Sequence, residues 1–194
     1  MIVLVGFMGA GKTTVGTLLA ARLGLPFADS DQVLEDRAGR PIRQIFAEDG
    51  EPAFRALEYE IIAGLLDGPP MVLALGGGAP GHPPTRELLL PPGGRPPGTP
   101  PISGGNLSPP TPSAPQAPLE VVYLHVGYAQ ALRRVGGDAG RPLLARPDLS
   151  ALYQRRLPVY AAVATLTVRT DGLPPETVSD DILARLVGVR AHLQ

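Results

Sequence analysis

Between an apolar run, Met1 to Val5, and a helical pattern opening near Lys12, the chain reads Gly6-Phe7-Met8-Gly9-Ala10-Gly11-Lys12-Thr13. This is G-x-x-x-x-G-K-[ST] in full, in the context that gives the pattern meaning: a buried strand before it and a helix after it. Glycines let the backbone wrap closely, so that successive N–H groups and a helix N-terminus point at phosphate oxygens. Lys12 would reach the β- and γ-phosphates of a nucleotide, and the Thr13 hydroxyl would ligate Mg²⁺. Gly9, Ala10, Gly11, Lys12, Thr13 and Thr14 are therefore the candidate nucleotide-binding residues. The competing explanation is a glycine-rich turn that binds nothing. The complete pattern and its context weigh against it, and so does composition: of 17 basic residues, Lys12 is the only lysine.

The rest of the chain is organised around that first strand. Buried-type strands are expected at 1–5, 25–28, 71–75, 120–126 and 165–169. Between them run helical patterns at 12–23, 32–38, 41–48, 52–66, 84–90, up to 134, 148–162 and 175–190. Strands separated by helices specify an α/β fold with a parallel sheet covered on both faces. The whole of 1–194 reads as one domain, with two departures. Residues 91–118 hold 11 prolines, 5 glycines and one charge, Arg95, and are expected to form a disordered or polyproline-like insert. Residues 136–147 form a polar, glycine-containing loop suited to a lid.

Several function classes fall away. Lys and Arg number 17 against 18 acidic residues, so no bulk field draws nucleic acid or an anionic membrane. Zero cysteines removes disulfides and thiolate chemistry. No apolar run approaches the roughly 20 residues needed to cross a bilayer. The N-terminus lacks a signal peptide's charged region, and a cytoplasmic protein is expected.

What receives the phosphate must be read further along. Asp29-Ser30-Asp31 falls at the end of the second strand, on the rim where open α/β sheets bind ligands. One carboxylate suits Mg²⁺ and the other a hydroxyl proton; a helix N-cap explains one aspartate, scarcely both. Phe54-Arg55-x-x-Glu58 places an arginine and a glutamate on one helix face. From spacing alone, an ion pair worth a few tenths of a kcal/mol and an arginine oriented for a substrate carboxylate are equally good readings. Gly76-Gly77-Gly78 after a strand suggests either backbone pressed against a ligand or a tight turn. Arg141, in the lid loop, is suited to stabilising phosphoryl charge. His82, His125 and His192 are isolated.

Taken together and in order, these pieces resemble the shikimate kinases, small P-loop enzymes of the nucleoside-monophosphate-kinase-like group. The matching residues are 6–13, Asp29-Ser30-Asp31, Phe46 through Phe54-Arg55-x-x-Glu58, and Gly76-Gly77-Gly78. Arg141-Pro142-Leu143-Leu144, Arg156-x-Pro158-x-Tyr160 and Val168-Arg169-Thr170 complete the set. The resemblance implies a three-layer P-loop kinase fold whose five-stranded parallel sheet has the order 2-3-1-4-5. It implies ATP-dependent phosphorylation of the 3-hydroxyl of shikimate, in aromatic amino-acid synthesis via chorismate, by a monomer. Carried over by position, Asp31 binds the substrate hydroxyls and is the candidate base; Arg55 and Arg156 clamp the carboxylate; Gly77 and Gly78 contact the ring hydroxyls. Lys12 and Arg141 act on the ATP phosphates, Arg134 and Pro175 flank adenine, and Thr13 and Asp29 serve Mg²⁺. Arg155 stays a surface arginine. A related kinase of gluconate or another hydroxy acid would need the same clamp, and a non-catalytic ATP-binding relative would be expected to lack one of these residues. The insert at 91–118 departs from the family pattern without interrupting a motif.

Overall fold

The computed structural model describes residues 1–90, 119–136 and 148–191. The insert, most of the lid loop and Arg141 lie outside them. Five parallel strands form one sheet: β1 (Ile2–Val5), β2 (Phe27–Asp29), β3 (Val72–Ala74), β4 (Glu120–His125) and β5 (Leu166–Arg169). Their spatial order is β2-β3-β1-β4-β5, as the resemblance implied. Ile2 registers with Val72 on one side and with Glu120 on the other, which starts the three central strands level.

The continuous apolar runs have a direct cause. Val3, Leu4, Val72, Leu73, Val121, Val122 and Leu124 are wholly buried because helices cover both faces. The helices are α1 (Lys12–Leu23), α2 (Ser30–Ala38), α3 (Ile42–Glu48), α4 (Gly50–Leu66), α5 (Pro83–Leu89), α6 (Tyr128–Val135), α7 (Leu149–Val163) and α8 (Pro175–Ala191). A second, smaller core of Leu34, Ile45, Phe54 and Ile61 joins α2, α3 and α4 into a wall on one side of the rim.

The observed boundaries fall within two residues of expectation, with the largest shifts around the second strand and the starts of α2 and α4. The strand expected at 25–28 is Phe27–Asp29, and the helix expected from residue 32 opens at Ser30. The Asp29 carboxylate explains the second shift: its Oδ1 accepts the Asp31 N–H at 3.1 Å, so the cap follows the strand without a linker. Parallel strands bring the loops after β1, β2 and β3 to their C-terminal rim. Strand β4 starts at the opposite rim, where the Glu120 N–H bonds the Met1 carbonyl at 3.0 Å.

Candidate active site

The phosphate loop leaves β1 and enters α1 through backbone conformations only glycine adopts cheaply. Gly9 has φ +74°, and a Cβ there would sit 2.8 Å from the Ala131 carbonyl oxygen. The turn closes with the Ala10 N–H on the Phe7 carbonyl at 3.1 Å. Lys12 Nζ folds over this loop and donates to the Gly6 carbonyl at 3.0 Å and the Phe7 carbonyl at 3.3 Å. Its ammonium is thereby held above the backbone N–H groups that would receive phosphate. Thr13 Oγ1 donates to Asp29 Oδ2 at 2.9 Å.

Asp29 therefore does two jobs, capping α2 with one oxygen and meeting Thr13 with the other. A hydroxyl beside a carboxylate is a hard-oxygen pair that suits a divalent cation sharing its shell with phosphates. Among the described residues no group of three or more acidic or histidine side chains gathers as a self-sufficient metal cage.

Beside the loop opens a cleft of roughly 560 Å³, lined by Gly11, Thr14, Gln130, Arg134, Thr170 and Pro175 among others. Arg134 ties its two walls together. One guanidinium nitrogen donates to the Gly9 carbonyl and to Thr170 Oγ1, both at 3.1 Å, and the other to the Thr170 carbonyl. The planar group is thus fixed across the mouth from Pro175, which starts α8.

A cluster of charged side chains is assembled on the triple glycine after β3. A Cβ on Gly76 would collide with Asp31 Oδ1 and lie 3.2 Å from Glu58 Oε1. One on Gly78 would lie 2.7 Å from an Arg55 nitrogen and 3.2 Å from an Arg156 nitrogen. Asp31, Arg55, Glu58 and Arg156, which come from three helices, therefore converge on a stretch of bare backbone. The ion-pair reading of Arg55 is realised in the structure. The arginine's Nη1 donates to the buried Glu58 Oε2 at 2.6 Å and its Nη2 to Glu51 Oε1 at 3.3 Å, which holds the guanidinium beside the Gly78 backbone. The Phe54 ring backs Arg55 at 5.1 Å, and Phe7 lies 5.9 Å from Arg156. Arg155, by contrast, is exposed and paired with Asp148 at 3.3 Å.

Electrostatics mark the same spot. Burial, aided by the Asp29 charge, holds the Asp31 pKa above the usual carboxylate value, with Lys12 and Arg55 opposing the rise. Burial likewise raises Glu58, against the pull of Arg55. Burial and the Arg55 charge lower the pKa of His82, which sequence reasoning left without a role, below the usual imidazole value, and its Nδ1 lies 3.0 Å from Thr85 Oγ1.

Three contributors were missed by sequence reasoning. Ser30 Oγ accepts the Gly76 N–H at 3.0 Å, Tyr160 Oη donates to the Gly77 carbonyl at 2.6 Å, and Thr170 anchors Arg134. All three lay inside quoted motifs, but nothing local indicated what they would touch.

Known proteins with these features are consistent in kind. The shikimate kinase family model matches residues 8–187. A shikimate kinase of Thermobifida fusca (strain YX) is 43% identical over 189 residues, covering 96% of this chain and 94% of that protein. One of Salinispora arenicola (strain CNS-205) is 45% identical over 187 residues, covering 95% and 96%. Among solved structures, a shikimate kinase from Acinetobacter baumannii in complex with shikimate superposes with a TM-score of 0.76. It is 34% identical, with 96% of this chain and 92% of that one covered. With its phosphate loop, its sheet order and its glycine-centred acceptor cradle, this chain belongs to the shikimate kinase family.

Proposed function

We propose that this chain transfers the γ-phosphoryl group of ATP to the 3-hydroxyl of shikimate, with Mg²⁺ as the divalent ion, in aromatic amino-acid biosynthesis. The observation that carries this reading is the meeting of Asp31, Arg55 and Arg156 on Gly76–Gly78, beside a phosphate loop. Arg55 and Arg156 are two guanidinium groups on one stretch of backbone, an arrangement suited to a planar carboxylate. Gly77 and Gly78 present main-chain groups to ring hydroxyls. Asp31 lies within the field of Lys12, so the hydroxyl it faces is also close to the phosphate loop.

Asp31 takes or directs the proton of the attacking hydroxyl, and Glu58 keeps Arg55 turned toward the acceptor. Lys12 and the loop N–H groups hold the phosphates of the donor, whose base enters the cleft between Arg134 and Pro175. Thr13 and Asp29 would hold the cation, which neutralises phosphate charge as it builds. Phosphoryl transfer asks mostly for positioning and charge stabilisation, and these residues supply both.

A coupled ATP assay across shikimate, methyl shikimate and gluconate tests the reading. The clamp predicts turnover with shikimate, a much weaker response to the uncharged ester, and little with gluconate. Equal turnover of shikimate and its ester would remove the carboxylate clamp from the account.

A further inference from the structure

Three consecutive glycines have no conformational preference of their own, so something outside the run must set where their peptide groups point. Two buried hydroxyls do so. Ser30 Oγ takes the Gly76 N–H at 3.0 Å from one side, and Tyr160 Oη donates to the Gly77 carbonyl at 2.6 Å from the other. The Tyr160 ring is only 1% exposed and packs on Tyr123 with ring centres 5.3 Å apart, so its hydroxyl cannot follow the loop if the loop moves.

A trans peptide is planar, and the Gly77 carbonyl and the Gly78 N–H point in opposite directions from it. Fixing the first fixes the second. Arg156, one turn earlier on α7, bears on the same phenol through its charge. A Cβ on Gly77 would stand 3.5 Å from Arg156 Nη1 and 3.7 Å from Tyr160 Oη. We propose that Tyr160 is a positioning residue for the acceptor: its hydroxyl locks the Gly77–Gly78 peptide and Arg156 into one register, without itself touching the acceptor. Burial pushes its pKa up to about 12, so the phenol stays a donor throughout the neutral range. The proposal rests on the acceptor-site reading given above.

Tyr160→Phe removes the hydroxyl and keeps the ring. The KM for shikimate and its calorimetric Kd should both rise about tenfold, the scale of one lost buried hydrogen bond. The KM for ATP should stay close to that of the parent, while the Tm falls by a few °C at most, the cost of the same lost bond. In an Arg156→Ala background the same change should cost less, because the two act together. Ser30→Ala, which frees the other end of the turn, should show the same selective rise. The proposal is overturned if both variants leave the shikimate KM unchanged. It is equally overturned if the KM values for both substrates rise by the same factor, which would make the bond general packing. Failure of the parent enzyme to turn over shikimate at all would count against the site reading, separately from this proposal.

Discussion

Asp31 occupies the first turn of α2 with its carboxylate drawn from solvent against Gly76, and that placement has an energetic consequence. Its folded pKa lies above the ordinary carboxylate value, so the folded state holds the proton more tightly than the unfolded chain does. Stability from the protonated form is present below the ordinary value and is lost as pH rises through the raised one. At neutral pH the ionised group therefore opposes folding. Asp31→Asn should raise Tm at neutral pH, on the order of 2–4 °C, and the gain should vanish below the carboxylate range. Calorimetry at two pH values checks it. The same substitution should lower kcat by roughly 10²–10⁴-fold, the range of positioned bases. Arg156→Ala, which loosens a grip common to substrate and transition state, should act mainly on the KM for shikimate. The reverse pattern would reassign both residues. Lys12→Arg keeps the charge but spreads it over a larger plane, where a compact ammonium now bonds two loop carbonyls. A fall in kcat on the order of 10²-fold or more is expected, as for loss of a well-aimed charged donor. Near-normal turnover would contradict the role given to the loop.

Two glycine turns on the same rim respond to a methyl group in different ways. At Gly9 the backbone has positive φ and the added Cβ would meet the Ala131 backbone, which α6 cannot easily yield. Gly9→Ala should therefore lower Tm and weaken nucleotide binding together. At Gly78 the obstacle is the end of the Arg55 side chain, which can swing aside. Gly78→Ala should keep its Tm but raise the KM for shikimate, a contrast that thermal melts and kinetics on the two variants can read. The elements themselves were largely legible, since apolar runs of strand length alternate with helical spacing along the whole chain. Where the reading slipped, at β2 and α2, the reason was one carboxylate ending a strand and capping a helix in the same residue. The site was legible where its residues carry recognisable chemistry: Lys12, Asp31, Arg55, Arg156. It was illegible where the partner lies far away in sequence. Ser30 meets Gly76 across 46 residues, and Tyr160 meets Gly77 across 83. Local pattern contains no trace of such pairings. The even choice at Arg55 could not be resolved by spacing because one guanidinium meets both Glu58 and the Gly78 backbone, which is distant in sequence.

At the scale of the molecule, parallel strands separate chemistry from connection. Donor and acceptor loops leave the C-terminal ends of β1, β2 and β3, so a phosphate and a hydroxyl can be brought together by one rigid sheet. The 91–118 segment begins after α5 and ends ahead of Glu120, which registers with Ile2 at the other rim. Replacing 93–117 with a short Gly/Ser linker should accordingly leave kcat/KM within a few-fold. A loss of two orders of magnitude with intact circular dichroism would show that the segment reaches the site. The proposed reaction couples ATP to shikimate in one crevice. It is tested most directly by measuring ADP release and product mass with and without shikimate, in the presence of Mg²⁺. The account predicts ADP release that depends on shikimate and matches a monophosphorylated product mole for mole. ADP release at the same rate without shikimate, or no phosphorylated product, would contradict it.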